Sequence, residues 1–270
     1  MNKTMLLSVL ASFLLLSACG AKSDWEREGV SASAVSDRIM ADNVKAEWSL
    51  EQRPSSTAGA LIRLAVKKND GTPIQDFDVT HEKLLHLIVI GKDLSYFHHI
   101  HPAYRGDGVF EIENDFPAGG EYRVIADFQP TGGDAMTKME WIRVDGEPTE
   151  PVPVVPDASL DKTFGDKRVT LAIDNPGAKK DTTLKFVIED GKTGDPITDL
   201  EPYLGAIGHV VVLSEDGQRY VHAHADEDQG SGPEARFETE FPKAGKYKIW
   251  GQFQRKGEVF TVSYVVNVPE

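Results

Sequence analysis

The chain writes one sixteen-residue pattern twice. "HLIVIGKDLSYFHHIH" occupies residues 86–101 and "HVVVLSEDGQRYVHAH" residues 209–224, each with histidine at its first, fourteenth and sixteenth places. The likeness is longer than the motif. Residues 61–101 align without a gap on 184–224, and Gly71, Pro73, Ile74, Asp76, Val89 and Asp93 all meet identical partners 123 positions on. After a two-residue insertion, "FPAGGEYRVIADFQ" (116–129) answers "FPKAGKYKIWGQFQ" (241–254). A period this long means duplicated domains, since solenoid units repeat about every 20–50 residues. Each copy, about 100 residues long, can bury its own core.

Within each copy the apolar runs are short and rich in Val, Ile, Leu and aromatics, with "NDG", "NPG", "DG" and "GG" between them. Strands are expected at 44–50, 60–67, 85–91, 96–101, 120–128 and 139–144. In the second copy they are expected at 168–173, 183–189, 208–213, 219–224, 246–253 and 259–268. This pattern predicts an all-β chain of two tandem immunoglobulin-like or cupredoxin-like antiparallel β-sandwich domains. The expected divisions are a leader at 1–18, a tether at 19–42, repeat 1 at 43–147, a linker at 148–158 and repeat 2 at 159–270. The linker carries Pro148, Pro151, Pro153 and Pro156 and reads as a semi-rigid spacer.

The strands and turns decide where the histidines go. Asp216-Gly217 between two apolar runs predicts a two-residue type I′ hairpin. Its register places 213 opposite 220, 211 opposite 222 and 209 opposite 224. His222 and His224, two apart, then share a face with His209. In the first copy an even-numbered loop around Asp93-Leu94 places His86 opposite His101, with His99 on the same face and His98 on the other. Each hairpin is thus expected to converge three imidazoles on one ion. All eight histidines fall within 81–101 and 209–224. Neutral imidazole without thiolate suits Cu(II) or Zn(II). His81 is a further candidate ligand, without a twin, since position 204 is Leu. Glu82, Asp127, Met136 and Met139 stand near these positions and could add carboxylate or thioether groups.

The compartment follows from the first twenty residues. "MNKTMLLSVLASFLLLSACG" has one Lys, an apolar run and a small-residue end, the layout of a secretory signal. "LSAC" resembles a bacterial lipobox, and that resemblance implies cleavage before Cys19 and lipidation of it. Cys19 is the sole cysteine, so disulfides, thiolate zinc fingers and blue-copper sites are excluded. The net charge of −14, which becomes −15 once Lys3 leaves with the signal, excludes a nucleic-acid binder, because phosphate contacts need a basic face.

"HEKLLHLIVIGKDLSYFHHIHP" resembles the pattern H-x-K-x-x-H-L-I-V…D-L-x-x-F-x-H-x-H-P, and "YLGAIGHVVVLSEDGQRYVHAHA" resembles its partner. The pattern belongs to a poorly characterised family of bacterial secreted and lipid-anchored β-sandwich proteins with tandem H…H-x-H(P) motifs, suspected of copper or heavy-metal handling. The resemblance implies a membrane-anchored, extracytoplasmic metal-binding protein for copper, with zinc as the alternative. Such a protein would buffer, deliver or sense the ion beside an envelope metal transporter or another protein. Two other readings stand beside it: a non-catalytic adhesion or scaffold module, and a metal-dependent enzyme. G-x-S-x-G, H-E-x-x-H and P-loop signatures are all missing from the sequence, which favours a non-enzyme. Histidine ligation needs the neutral ring, so metal affinity should fall as pH drops through about 6.5. Titrations across that range test this for rings that keep the ordinary imidazole pKa.

Overall fold

The computed structural model describes residues 39–52 and 58–270. The leader, Cys19 and the tether up to residue 38 lie outside them. The described residues form antiparallel sheets with one short 3-10 turn at Ala41–Asn43. Repeat 1 contains β1 (Val44–Glu51), β2 (Ala60–Lys68), β3 (Phe77–Asp78), β4 (Leu85–Gly91), β5 (Phe97–Ile100), β6 (Ala103–Gly106), β7 (Val109–Asn114), β8 (Gly120–Pro130) and β9 (Met136–Val144). Repeat 2 contains β10 (Asp161–Phe164), β11 (Lys167–Asp174), β12 (Asp181–Asp190), β13 (His209–Ser214), β14 (Tyr220–Ala225), β15 (Glu234–Glu240), β16 (Gly245–Arg255) and β17 (Glu258–Val268).

The all-β class and the two sandwich repeats are as the sequence predicts. Repeat 1 pairs a β1-β2-β7-β6 sheet with a second sheet in which β8 lies between β4 and β9 and β5 flanks β4. Repeat 2 runs β10-β11-β12-β15-β14-β13-β16-β17. Here β14 turns the corner. Its first half pairs with β13 (Val211 opposite His222) and its second half with β15 (His224 opposite Glu238). In repeat 1 the same path is cut in two, β5 and β6, at Pro102, which has no N–H for a ladder. The sequence reading passed over β7 and β15, although "VFEIEN" and "EARFETE" alternate apolar and polar residues, the signature of a half-buried strand.

Both hairpin registers match the expected ones. Ile88 faces His99 and Leu87 faces Ile100, while Leu213 faces Tyr220 and Val211 faces His222. The turn itself differs from the expectation. Ser214 N–H bonds Arg219 C=O, and Gly217 N–H bonds Ser214 C=O, closing a four-residue loop rather than a two-residue type I′ turn. Asp216 Oδ1 accepts from Ser214 Oγ and from Gln218 N–H, which holds the longer loop. The register survives because two and four are both even.

The core of each repeat is its own. Leu85, Leu87 and Val89 point into the repeat 1 core, and Val210 and Val212 into the repeat 2 core. The alternate residues are buried too. Ile88, Ile90, Leu94, Ile125, Val211 and Leu213 are 0 % exposed and form a third cluster with Trp250 between the repeats. Full burial of such a side chain contributes about 1.5–3 kcal/mol, against about 0–1 kcal/mol for a surface ion pair. The repeats are therefore joined face to face mainly by apolar burial. Phe97 stacks on Trp250 at 5.0 Å, and Lys248 Nζ donates to Leu94 C=O at 2.7 Å. The proline-rich stretch lies along this joint instead of holding the repeats apart. Val152 N–H bonds Asp93 Oδ2, Lys246 Nζ bonds Val154 C=O, and Val154 packs on the shared cluster. Trp250→Ala should cost about 3–5 kcal/mol. Chemical denaturation should also resolve two transitions in that variant where the parent shows one; an unchanged single transition would contradict the joint's role.

Candidate functional site

The face that joins the repeats is the face that carries the histidines. His86 continues the Ile88–Ile90 side of β4, and His99 lies on the Phe97 side of β5. His209 continues the Val211–Leu213 side of β13, and His222 the Tyr220 side of β14. The two triplets therefore do not build two separate sites. His86, His99 and His101 bring their ligand atoms within 4.8 Å of one another. His209 leaves its own triplet and joins them across the joint, its ring stacked 4.7 Å from His99 and 5.8 Å from His86. It is separated from its expected partners because β13 pairs His209 with Gln252 of β16 while β14 departs toward β15. His222 and His224 stay together, 6.2 Å apart and parallel, on the wall of a neighbouring cleft.

The outer hydrogen bonds fix the inner chemistry. His86 Nε2 lies 2.9 Å from Thr80 C=O, which only accepts, so this nitrogen carries the proton. His99 Nδ1 lies 2.8 Å from Gln252 Oε1, again an acceptor, so Nδ1 carries that ring's proton. Each neutral ring has then spent its one N–H. His86 Nδ1 and His99 Nε2 face each other across 3.2 Å with bare lone pairs. His101 Nε2 and His209 Nε2 are buried without any hydrogen-bond partner. A buried polar atom left unpaired costs about 1–3 kcal/mol. Two facing lone pairs on His86 and His99, with two more unpartnered imidazole nitrogens on the neighbouring His101 and His209 rings, are thus costly unless a cation sits among them.

Burial also sets the charge. His86 and His99 are 3 % and 8 % exposed. Desolvation, reinforced by neighbouring imidazoles, lowers the pKa of His86 and lowers that of His99 well below the ordinary imidazole value. The same cause brings His101 down to about 4 and His209 to about 3. All four rings are neutral at pH 7, the form that binds metal.

The other candidates divide. His98 turns to the opposite face and meets Asn114 Oδ1 at 2.7 Å. His81 stands 6.0 Å from His86 and 6.3 Å from His209, at the rim of the group. Asp127 stands opposite His86 in the β4–β8 ladder, but its carboxylate is bonded to other groups. It accepts from Thr137 Oγ1 at 2.5 Å and from Tyr220 Oη at 2.8 Å, tying the repeats together, and Thr137 Oγ1 lies 3.0 Å from His222 Nε2. Asp127 and Gln252 are twins in the repeat, and each serves the other repeat's histidine: Gln252 binds His99 directly, Asp127 holds His222 through Thr137. Met136 is buried beside the cleft, and Met139 packs on the joint. The sequence reading did not single out Thr80, Gln252 or Thr137. Gln252 had a signal, since it stands in the repeated β8/β16 motif at the place of Asp127; the carbonyl of Thr80 had none.

A cleft of about 1000 Å³ lies against the cluster, lined among others by His81, His86, His209, His222 and His224. A smaller pocket of about 330 Å³ opens at Glu82, His99 and His101.

Comparison with known proteins agrees with the duplication. The profile of a domain of unknown function, DUF8832, matches residues 39–146 and again 162–270. Among curated proteins none matches the sequence. Solved structures similar to the chain include domains 4 and 5 of the S-layer protein SbsC, 15 % identical, covering 84 % of this chain and 98 % of that one with a TM-score of 0.24. A two-domain fibronectin type III segment of chicken tenascin is 13 % identical over 82 % of this chain and 98 % of its own, with a TM-score of 0.24. A Bacteroides ovatus mixed-linkage glucan utilization protein, SGBP-B, solved with a heptasaccharide, is 14 % identical over 83 % of this chain and 47 % of its own, with a TM-score of 0.21. None of these descriptions mentions copper.

The lowered imidazole pKa values have a thermodynamic consequence. An unfolded imidazole titrates near about 6.5, so between there and about 4 the unfolded chain takes up protons that the folded cluster refuses. In metal-free protein the stability should be level above about pH 7 and fall steadily as pH drops below about 6.5. Urea midpoints in the presence of a chelator measure this. A His101→Gln/His209→Gln variant should lose roughly half of that slope, since His86 and His99 remain; an equal slope in both proteins would place the acid sensitivity elsewhere.

Proposed function

Because the chain belongs to the DUF8832 family, of which it carries two copies, we propose a function from the face those copies share: it binds one late first-row metal ion in a four-histidine site. The observation that carries this reading is the pair of bare nitrogens of His86 and His99, 3.2 Å apart, with both ring protons committed outward. Metal-bound imidazoles sit about 2.0–2.1 Å from an ion, which places tetrahedral neighbours roughly 3.4 Å apart. Outward N–H groups held by a carbonyl and an amide oxygen are the second shell that orients metal-binding imidazoles. His101 and His209 supply the third and fourth nitrogens, and an ion there would pair their orphaned Nε2 atoms.

All-nitrogen ligation favours Cu(II) and then Zn(II), because affinity rises along the series to copper. We assign copper as the first choice and zinc as the alternative. With a lipid on Cys19, the protein would hold its ion at the extracytoplasmic face of a membrane. It would act there as a buffer, sensor or carrier that gives the ion to a transporter or another envelope protein. This makes it a binding protein, not an enzyme.

The test is Cu(II) and Zn(II) titration of the full chain with chelator competition. One tight equivalent is expected. His99→Ala should weaken it by roughly 100-fold or more, and His209→Ala by at least about 10-fold, as losses in and around a metal shell do. His98→Ala, facing Asn114, should leave it unchanged. Affinity no better than millimolar, or equal affinity in His99→Ala, would reject the site and leave the adhesion or scaffold reading.

A further inference from the structure

The cluster just described is mostly buried; it meets a small pocket at His99 and His101 and the larger cleft at His86 and His209, and on the cleft side further histidines form a stepped path to solvent. We propose that His222 and His224, with His81 at the inner end, make a second, weaker metal site in the inter-repeat cleft, through which the ion enters and leaves the buried one. This rests on the metal-binding reading above and adds the route.

Three observations carry it. First, His86 and His99 are almost sealed, while His86 and His209 form part of the lining of the cleft of about 1000 Å³. An ion arriving there must exchange its water for protein ligands, and those available on the cleft wall are imidazoles. Second, His222 is prepared as a ligand. Its Nε2–H donates to Thr137 Oγ1, whose own hydroxyl donates to Asp127 Oδ1. The ring's Nδ1 is left with its lone pair. This hydroxyl and carboxylate backing fixes the tautomer, as second-shell groups do at metal sites. His224, two residues on along β14, lies parallel at 6.2 Å, and both rings are exposed.

Third, His81 is held at a cost. Thr80 and Lys83 close a tight turn with reciprocal backbone hydrogen bonds, and both central residues have positive φ: His81 at 47° and Glu82 at 66°. The matching turn of repeat 2, between Tyr203 and Ala206, places Leu204 and Gly205 there, at 56° and 77°. Glu82 thus occupies a left-handed position that the other copy gives to glycine, a strain of roughly 1–2 kcal/mol for an ordinary residue. The turn's result is an exposed imidazole 6.0 Å from His86 and 6.3 Å from His209. Strain of this kind is held where it positions something. The Asp226, Glu227 and Asp228 carboxylates also line the cleft, and a cleft lined by negative charge concentrates cations.

The experiment loads the full chain with Cu(II) and follows copper absorbance after mixing with excess EDTA, beside an equilibrium titration. In His222→Gln/His224→Gln the tight equivalent should persist with affinity within about threefold, a weaker second equivalent should vanish, and transfer should slow by about tenfold or more, the scale on which such clefts alter rates. His81→Asn, chosen because Asn accepts positive φ, should slow transfer likewise. Unchanged transfer rates, or a loss of tight affinity in step with the rate, would overturn the route. If the parent chain takes up no copper at all, the buried site fails and the route with it. Normal uptake with unaltered kinetics in the variants removes the route alone.

Discussion

Burial of β4 and β13 on both faces is the constraint from which the rest of the structure follows. Each strand gives one set of side chains to its own repeat's core and the alternate set to the other repeat. A sheet with one solvated face would have left the histidines pointing at water. Here the second face is covered by a copy of itself, and the apolar rows Ile88–Ile90 and Val211–Leu213 bring the two rows of imidazoles into register at one end of the joint. The apolar end supplies the stability, so the polar end is free to carry unpaired nitrogens whose burial would otherwise be hard to sustain.

The joint is reciprocal in plan but not in detail. Both repeats offer a β-hairpin with histidines and a partner residue at the end of β8 or β16. Gln252 Oε1 accepts a hydrogen bond from His99 Nδ1–H directly, whereas its twin Asp127 is engaged by Thr137 and Tyr220. Pro102 stops β5 and leaves His101 beside His86, whereas β14 runs through Ala225 and takes His224 onto the other sheet. His81 and Glu82 occupy a turn that is Leu204 and Gly205 in the second copy. Each difference involves one or two residues, and together they distinguish a buried cluster from an exposed pair.

Much of this was legible in the chain. The duplication, the strand periodicity and the even-numbered turns were enough to predict two antiparallel sandwiches and both hairpin registers, including which histidines share a face. His98 was correctly set apart from its neighbours His99 and His101 by alternation alone. The exact loop at Asp216-Gly217 was misjudged without consequence, because only the parity of a loop determines which side chains share a face. The continuous apolar runs "HLIVI" and "HVVVL" were a further signal, since a strand buried on one side only would alternate. They state that a second cover exists.

What covers that second face was a tertiary matter. Sequence specifies contacts through period and turn geometry over tens of residues, and so each triplet was assigned to its own hairpin. Only the packing of one repeat on the other could draw His209 away from His222 and His224 and seat it over His99. Only that packing could bring Gln252, 153 residues distant in the chain, to the ring nitrogen whose proton it fixes. The residue types capable of holding an ion were written twice in the sequence. Their division into a buried group and an exposed pair arises because two apolar faces exclude water together, an interaction that no local pattern encodes.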